Sequence, residues 1–380
     1  MQARPTLHKP AHVIPFTLRH RHILLDASLN ERPATLILDS GSSVTTLDRG
    51  WSATLGLEER PLPGGASGVG NVDAALATVE RLGIGSLTMP RETVALMPLG
   101  NVSDAHGVRI DGTVGFSLFE RFVVEVDGAA REIRLYEPAA FAYEGTGTVL
   151  SVDLDMRVPV VRATLRAHDG SAEQVRLVLD LGTGGFDALL TAPFGDAHRR
   201  WWEARGFERP LGSGAGGTTV GRVCTLESLE LGSIEVRTPV VAVAREHAGF
   251  LGATWADGTI GAPVLGQGTI VFDYSRRRVI VEGASSARRG ASFDASGLDL
   301  VSSGAGFERV VVRHVVADSP AADCGVRAGD EITALDGCAV RGADLDRVRG
   351  SLALAGETRH VAWRRGGSDF ECELRLRALL

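Results

Sequence analysis

The pattern of apolar and polar residues along the chain is dominated by short alternating segments. Alternation broken by Gly, Pro and Asp at short intervals is typical of β-strands joined by tight turns. Two stretches instead predict short helices, DRGWSATLGL at 48–57 and PFGDAHRRWWEARGF at 193–207. The pattern therefore predicts a mainly β fold with few helices.

One predicted strand ends in an ionisable residue. The segment LILDSGSSVTTLD at 36–48 begins with an apolar run, reaches Asp39, and continues at once into a tight turn. By itself Asp-Ser-Gly indicates a turn rather than a site, because all three are ordinary turn residues. A catalytic interpretation of Asp39 needs a second acid.

The chain supplies a second acid by repeating itself. The segment LVLDLGTGGFDALL at 177–190 again ends an aliphatic strand in an acid, Asp180, with a glycine two residues later and a hydroxyl residue three later. In addition, DGTVG at 111–115 recurs as DGTIG at 257–261. Self-similarity of this kind predicts two related structural units.

Each half of the repeat also carries a glycine-rich stretch, a strand pair around a Gly-Ser turn, and a two-stranded hairpin. In chain order these lie at 64–71, 81–89 and 122–137 in the first half, and at 212–219, 229–243 and 269–282 in the second. They predict two β-rich lobes, at 12–140 and 147–283.

Two weaker patterns are better explained structurally. GSGAGG at 212–217 fits the glycine pattern of dinucleotide-binding loops, but it runs into β-branched residues rather than opening a helix, so it predicts a hairpin. Asp153 and Asp155 alternate along a strand, as exposed acids commonly do. We therefore expect no metal and no cofactor.

The composition of the chain argues against nucleic acid as a ligand and against a membrane-spanning segment. The chain has 380 residues, 44% of them hydrophobic, and a formal net charge of -7. No dense Lys/Arg stripe appears, so nucleic acid is not an expected ligand. No apolar stretch is long enough for a membrane span, and the first twenty residues hold charges where a signal peptide is apolar. We expect a cytoplasmic protein, or a periplasmic or secreted one whose signal segment was removed.

The cysteines and histidines do not form a recognisable catalytic or metal-binding motif. The four cysteines are scattered without a Cys-x-x-Cys pair, so we expect reduced or buried thiols rather than a zinc site or a disulfide framework. His20 and His22 lie on one face of a predicted strand and are expected to face solvent. Serine-hydrolase and zinc-protease motifs, G-x-S-x-G and His-Glu-x-x-His, do not occur.

Two neighbouring aspartic acids can act together as a general acid and a general base. If the two lobes pack with pseudo-twofold symmetry, Asp39 and Asp180 meet at the axis. Two neighbouring carboxyl groups share a proton, so one can act as general base towards water while the other protonates a substrate carbonyl. This is what peptide hydrolysis needs without a covalent intermediate. The two glycine-rich hairpins could close over a bound peptide.

Equivalent residues beside the two acids fit the same task. Gly41 and Gly182 let backbone N–H groups come close to the carboxylates, because glycine has no Cβ. The hydroxyl groups of Ser42 and Thr183 can donate hydrogen bonds that orient the acids.

These motifs resemble those of the pepsin and retropepsin family of aspartic peptidases, in the fused two-lobe form. The resemblance rests on Asp-Ser-Gly-Ser-Ser at 39–43, Asp-Leu-Gly-Thr-Gly at 180–184 and the two Asp-Gly-Thr segments, and covers about three quarters of the chain. It implies two β-barrel lobes and a catalytic pair formed by Asp39 and Asp180. The pepsin-type flap tyrosine has no counterpart here.

The resemblance also points to a departure at Leu181. The middle residue of the family's motif is normally Thr or Ser, and its hydroxyl reaches the backbone of the other lobe. Ser40 can make this contact and Leu181 cannot, so one cross-lobe hydrogen bond should be missing. If that loss limits an enzyme, Leu181→Thr should raise its activity or stability.

The chain changes character after the linker EGASSARRGASFDASG at 282–297. About ninety residues then resemble a PDZ domain of the bacterial protease-associated kind, most specifically DSPAADCGVRAGDEITALDG at 318–337. The predicted domain is 295–380, small and of α+β type. PDZ domains bind a peptide's C-terminal carboxylate on backbone N–H groups, and here the loop would be Ser296, Gly297 and Leu298.

The leading hypothesis is a bacterial aspartic endopeptidase with a PDZ domain that binds a substrate or partner peptide. A non-catalytic peptide-binding or adaptor protein of the same fold is the alternative, motivated by Leu181. A duplicated structural turn is the third possibility. Asp39→Asn or Asp180→Asn distinguishes the enzyme from the adaptor. The change should abolish peptide cleavage by an enzyme, whereas an adaptor cleaves no peptide and should retain its peptide affinity.

Overall fold

The computed structural model describes residues 9–62, 68, 70–266, 268–283, 287–290 and 292–380. β-strands are the main regular structure of these residues, with short helices between them. No helix within the described parts of the chain has the length and apolar character needed to cross a membrane.

The first half of the chain folds around an eight-stranded sheet, β2–β9, with strand order β2-β3-β4-β9-β5-β8-β7-β6. The strands of this half are β1 His12–Pro15, β2 Thr17–Arg19, β3 His22–Leu29, β4 Arg32–Leu38, β5 Thr45–Asp48, β6 Arg60–Leu62, β7 Ala74–Ile84, β8 Leu87–Met97, β9 Gly112–Val114, β10 Val123–Asp127 and β11 Glu132–Tyr136. Its helices are α1 Gly50–Leu55, α2 Gly100–His106 and α3 Phe116–Arg121.

The second half folds around a ten-stranded sheet in the order β16-β17-β20-β15-β21-β14-β13-β18-β19-β24. Its strands are β12 Thr148–Ser151, β13 Val160–Arg166, β14 Ala172–Asp180, β15 Ala188–Leu190, β16 Phe207–Gly214, β17 Gly217–Thr225, β18 Ser228–Leu231, β19 Ile234–Arg237, β20 Val240–Ala244, β21 Gly258–Gly261, β22 Thr269–Asp273, β23 Arg278–Glu282 and β24 Ala287–Arg289. Its helices are α4 Ala192–Ala197 and α5 Ala262–Leu265.

The repeat in the sequence is a repeat in strand topology. In the first half β4 pairs in parallel with β9, β9 pairs antiparallel with β5, and β5 pairs in parallel with β8. In the second half β14, β21, β15 and β20 repeat these three pairings with the same orientations. Each acid therefore lies at the end of an equivalent inner strand. We call these two units the first and second lobes.

A third sheet joins the lobes. Its order is β1-β11-β10-β22-β23-β12, so it takes three strands from each half of the chain. The joint is the antiparallel pair β10–β22, in which Val124 lies opposite Phe272. One apolar core runs through both lobes, from Ile14 to Val281.

The C-terminal unit has its own sheet and its own core, which runs from Ala295 to Leu376. Its strands are β25 Leu298–Ser303, β26 Arg309–Val315, β27 Glu331–Leu335, β28 Cys338–Ala339, β29 Thr358–Arg365 and β30 Ser368–Arg375, and its helices are α6 Pro320–Asp323 and α7 Leu345–Leu352. The strand β25 pairs only with β26 among the described residues.

We propose the division 12–140, 147–283 and 295–380 for the three domains, supported by these sheets and cores. The linker between the second and third is not a free tether, because its strand β24 pairs with β19. The short predicted helix after the Ser-Pro step is α6, and the Ser319 hydroxyl accepts a hydrogen bond from the Ala322 N–H at its start, at 3.3 Å.

The cysteines differ from the expectation of free thiols. Cys324 and Cys372 form a disulfide across a sequence separation of 48 residues, whereas Cys224 and Cys338 are free. The pairing depends on α6 packing beside β30, a contact between distant segments that no local spacing in the sequence reveals.

Candidate active site

The strands β4 and β14, which lead to Asp39 and Asp180, are each held by a hydrogen bond to the Asp of an Asp-Gly-Thr segment. The Asp111 carboxylate accepts a hydrogen bond from the Thr35 N–H at 2.9 Å, and the Asp257 carboxylate accepts one from the Arg176 N–H at 2.7 Å. Thr35 and Arg176 each lie four residues before an acid of the candidate pair. The Asp of each Asp-Gly-Thr segment is therefore an anchor for the strand that carries the acid.

The side chains of Asp39 and Asp180 are hydrogen-bonded to each other at the interface between the lobes, where both residues are half-buried. Each acid also lies against the glycine of the opposite loop. A Cβ at Gly41 would lie 2.6 Å from the Asp180 Cγ, and a Cβ at Gly182 would lie 2.7 Å from the Asp39 Cγ. Any other residue at either glycine would therefore displace a carboxyl group.

Local donors hold the two acids differently. Asp39 Oδ1 accepts from the Gly41 N–H at 2.9 Å, and Asp180 Oδ1 accepts from the Gly182 N–H at 2.8 Å. The Thr183 hydroxyl donates to Asp180 Oδ2 at 2.7 Å. The expectation of an equivalent contact from Ser42 is wrong, because its hydroxyl donates to the Val44 carbonyl at 2.7 Å. Asp180 thus has a side-chain donor that Asp39 lacks.

Ser40 links the lobes at the base of the site. Its hydroxyl donates to the Leu179 carbonyl at 2.8 Å and accepts from the Leu181 N–H at 3.0 Å. Leu181, the equivalent residue in the second lobe, has no polar side-chain atom to return these bonds. Its side chain is instead 2% exposed and packs into the core shared by the lobes.

The electrostatics of the pair follow from burial and proximity. Burial raises the pKa of Asp39 well above its usual value, and the neighbouring Asp180 carboxylate raises it further. Burial also raises the pKa of Asp180, but hydrogen bonds from Thr183 and Gly182 oppose that rise. Two such groups cannot both ionise cheaply, so ionisation of one carboxyl group disfavours ionisation of the other, and the pair can share one proton.

The prediction that His20 and His22 share a solvent-facing strand face is wrong, because His20 lies half-buried in the turn between β2 and β3 and His22 is buried at the start of β3. The His22 ring is 8% exposed, with Nε2 2.9 Å from the Gly182 carbonyl and Nδ1 3.0 Å from His106 Nε2. Burial lowers the pKa of both His22 and His106, the latter to about 3. His106 was missed because only the fold brings α2 beside β3.

A cavity of about 840 Å³ contains the two acids. Apolar side chains form much of its wall, among them Met156, Phe186, Leu189, Phe250 and Trp255. Within the described parts of the chain, no group of three His, Cys, Asp or Glu side chains is arranged to hold a metal ion.

The described part of the first glycine-rich stretch comes close to the second stretch, and both contribute residues to the cavity that contains the acids. The second, at 212–219, forms the turn between β16 and β17. The first, at 64–71, lies partly outside the described residues, but a Cβ at Gly70 would be 3.1 Å from the Gly216 carbonyl oxygen. The cleft is therefore bounded by chain segments from both lobes.

The loop predicted to bind a peptide carboxylate is part of the start of β25. Ser296 and Gly297 direct their backbone N–H groups at the side chain of Asp294, while the Leu298 N–H donates to the Ser296 hydroxyl at 3.0 Å. The same cavity that holds Asp39 and Asp180 extends to Leu298 and α7.

Comparison with known proteins agrees with this architecture. Residues 25–118 match the family described as aspartyl protease, and residues 311–365 match the family described as PDZ domain. A search of curated proteins gave no significant match.

Solved structures with partial similarity include two proteases. One is a retropepsin-like aspartic protease from Rickettsia conorii, at 21% identity and a TM-score of 0.26, over 34% of this chain and 97% of that one. The other is a photosystem II D1 C-terminal processing protease, at 30% identity and a TM-score of 0.22. That match spans 24% of each chain.

The fold and the family matches define a protein of mainly β structure with a protease-like fold and an appended PDZ domain. The chain carries a domain of the aspartyl protease family in its N-terminal part, over residues 25–118, and a PDZ domain in its C-terminal part, over residues 311–365.

Proposed function

We propose that the protein is an aspartic endopeptidase in which Asp39 and Asp180 activate a water molecule between them. The observation that carries the proposal is the reciprocal packing of each acid against the glycine of the opposite loop. Neighbouring buried carboxyl groups that share a proton are suited to combined acid and base catalysis. The aspartyl protease match over 25–118 supports the same class of reaction.

The unequal hydrogen-bond donors around the two acids support different catalytic roles for them. Asp180 receives hydrogen bonds from both Thr183 and Gly182, so it is the better place for the negative charge. Asp39 then holds the shared proton. In the first step Asp180 takes a proton from water, the hydroxyl attacks the substrate carbonyl carbon, and the Asp39 proton passes to the carbonyl oxygen.

The second step returns both acids to their starting state. The tetrahedral intermediate collapses as the C–N bond breaks, and the proton on Asp180 passes to the leaving nitrogen. Asp39 regains a proton from the hydroxyl of the intermediate as the new carboxyl group forms. One proton is again shared between the two acids, and no covalent enzyme intermediate is needed.

The shape of the cleft favours an extended peptide cut at an internal bond. The acids lie in a cavity bounded by both lobes, and its walls carry apolar side chains such as Phe186, Phe250 and Trp255. We expect preferred substrates to have apolar residues on either side of the cut. The PDZ domain would bind a substrate or partner peptide through the loop at 296–298.

A second function, peptide binding without cleavage, is favoured by Leu181. Ser40 makes cross-lobe hydrogen bonds to the backbone beside Asp180, but Leu181 has no hydroxyl to make the equivalent bonds to the backbone beside Asp39. An adaptor of this kind would bind peptides in the same cleft and release them intact.

One experiment separates the two functions. Wild type, Asp39→Asn and Asp180→Asn are incubated with a mixed peptide library between about pH 3 and pH 8, with and without pepstatin. Loss of either acid should lower cleavage by at least about 10²–10⁴-fold, whereas Asp153→Asn, an exposed acid of the second lobe, should have no effect. Folded wild type that binds peptides and cuts none would establish the adaptor function instead.

A further inference from the structure

The peptide groove of the PDZ domain faces the cavity that holds the two acids, and it is not freely accessible in this protein. In this fold a ligand adds as a strand to a free sheet edge and places its terminal carboxylate on loop N–H groups. Here that edge is β25, the loop is 296–298, and α7 forms the other wall. Both ends of the groove are filled by other parts of the same chain.

The carboxylate end holds the side chain of Asp294. Its Oδ1 accepts from the Ser296 hydroxyl at 2.6 Å and from the Ser296 N–H at 3.2 Å, and its Oδ2 accepts from the Gly297 N–H at 2.6 Å. These backbone donors are the ones that a peptide's C-terminal carboxylate would use. Asp294 belongs to the linker before the domain, so the occupant comes from within the chain.

The far end of the groove holds the last turn of α2 from the first lobe. A Cβ at Gly107 would lie 2.7 Å from the Ser302 hydroxyl of β25 and 3.6 Å from Leu345 Cδ2 of α7. Gly107 is therefore wedged between the two walls of the groove, and its φ of +66° suits glycine.

Arg349 of α7 ties these parts together at the middle of the groove. One guanidinium nitrogen donates to the Ala105 carbonyl at the end of α2, at 2.9 Å, and the other donates to the Leu300 carbonyl of β25, at 2.7 Å. An incoming peptide strand needs the backbone groups of β25 that Arg349 and α2 now cover.

Further contacts link the domain to the glycine-rich hairpin of the second lobe. Asp299 of β25 forms ion pairs with Arg313 of β26, at 2.6 Å, and with Arg209 of β16, at 3.1 Å. Arg313 also donates to the Ser213 hydroxyl at the hairpin tip, at 2.6 Å. The position of the PDZ domain therefore decides the position of one wall of the catalytic cleft.

We propose that the PDZ domain binds its own protease lobes through its peptide groove, with Asp294 in place of a ligand carboxylate and the turn at 105–107 beside β25. A peptide with a free C-terminal carboxylate binds only by displacing both. Its binding then detaches the domain from α2 and the hairpin and opens the cleft. This proposal rests on the peptide-binding role proposed above for the PDZ domain and does not require catalysis.

The test measures peptide binding to the full chain in an Asp39→Asn background, so that its result does not depend on cleavage. The probe is a fluorescein-labelled heptapeptide ending in valine, either as the free acid or as the C-terminal amide, followed by fluorescence anisotropy. Asp294→Ala should bind the free acid at least tenfold more tightly than the parent, and the amide should bind weakly to both. Asp369→Ala, an exposed acid of the same domain, should match the parent.

A second variant covers the case in which Asp294→Ala does not fold. Arg349→Lys keeps the charge but cannot reach both carbonyl groups, so it should also tighten binding of the free acid. Hydrogen exchange then tests whether the bound peptide displaces α2. The free-acid peptide, added to either variant, should accelerate exchange of the backbone N–H groups at 100–106, and the peptide with a C-terminal amide should not. Parent-like affinity in every folded variant, or peptide binding without faster exchange in 100–106, would overturn the proposal.

Discussion

Leu181 occupies the position at which the first lobe has Ser40, and the two residues stabilise the site by different means. Ser40 provides two hydrogen bonds between the lobes. Leu181 provides buried apolar contact in the shared core instead. The loss of a cross-lobe bond is therefore accompanied by a gain in packing, which the motif in the sequence does not reveal.

Leu181→Thr should lower stability rather than raise it. A new cross-lobe hydrogen bond is worth about 0.5–1.5 kcal/mol, whereas truncating a buried leucine costs about 2–5 kcal/mol when all of it beyond Cβ is lost. Because Thr retains part of that volume, we expect a net loss of about 1–3 kcal/mol in the free energy of unfolding. Urea denaturation measures the change.

Ser40→Ala provides the comparison for that result. It leaves the Leu179 carbonyl and the Leu181 N–H buried without their partner, at a cost of about 1–3 kcal/mol for each group. The neighbouring exposed Ser43→Ala should be nearly neutral. A more stable Leu181→Thr variant would mean that the missing bond matters more than the packing of Leu181.

The shared proton makes stability depend on pH. The folded-state pKa of Asp39 lies above its value in the unfolded chain, near 3.8. The folded protein therefore binds more protons between these two values, and stability that is present below about pH 4 is lost as the pH rises through the folded-state pKa. In the Asp39→Asn variant this loss of stability should not occur, because an asparagine side chain cannot ionise.

The melting temperatures of wild type and Asp39→Asn test this directly. We expect Asp39→Asn to melt at a higher temperature than wild type at pH 7, by about 2–4 °C for each kcal/mol of relieved cost. The difference should shrink as the pH falls towards 4. A difference that stays constant from pH 4 to pH 8 would show that the two carboxyl groups do not titrate as a pair.

At the scale of elements, the hairpin β16–β17 is held at its tip by a residue of another domain. Arg313→Ala removes the hydrogen bond to Ser213, worth about 0.5–1.5 kcal/mol. Amide exchange at 212–219 should therefore accelerate by about two- to tenfold, as measured by mass spectrometry. Arg309→Ala, on the same strand but bonded to Ser303, is the control and should leave the hairpin unchanged.

Elements set by local pattern could be predicted from the sequence, and elements set by tertiary packing could not. The strands that carry Asp39 and Asp180 follow from their apolar runs, α1 lies within the predicted stretch 48–57, and α4 overlaps only the first residues of the predicted stretch 193–207. By contrast, α2 and α3 were not predicted, and the buried residues of α2 are Ser103 and His106, so no apolar stripe marks that helix. His106 and Arg349 gain their roles from α2, and were missed with it.

The same distinction applies to the candidate site. The repeat predicted two acids, two glycines and a hydroxyl beside each acid, because duplicated motifs preserve spacing. It could not predict that the Ser42 hydroxyl would bond to Val44 within its own loop while Thr183 bonds to an acid. That choice depends on side-chain rotamers, which the surrounding packing decides.

At the scale of the whole molecule, the chain has two separate stability units. One core runs through both lobes, while the PDZ domain has its own. Calorimetry should therefore resolve two thermal unfolding transitions, one for the lobes and one for the PDZ domain. Only the PDZ transition should move to a lower temperature in Cys324→Ser or in the presence of a reducing agent. For a disulfide of this separation we expect a loss of about 2–4 kcal/mol, and Cys338→Ser, a free thiol, should change neither transition.

The sheet that joins the lobes also sets the moment at which the protein can act during its synthesis. A ribosome completes Asp39 and β10 long before Asp180 and β22, the partner strand of β10. The emerging first lobe therefore has neither its second acid nor its neighbouring strand. The proposed peptidase acquires its catalytic pair only after most of both lobes has left the ribosome, so a half-made chain cannot cut itself or its neighbours.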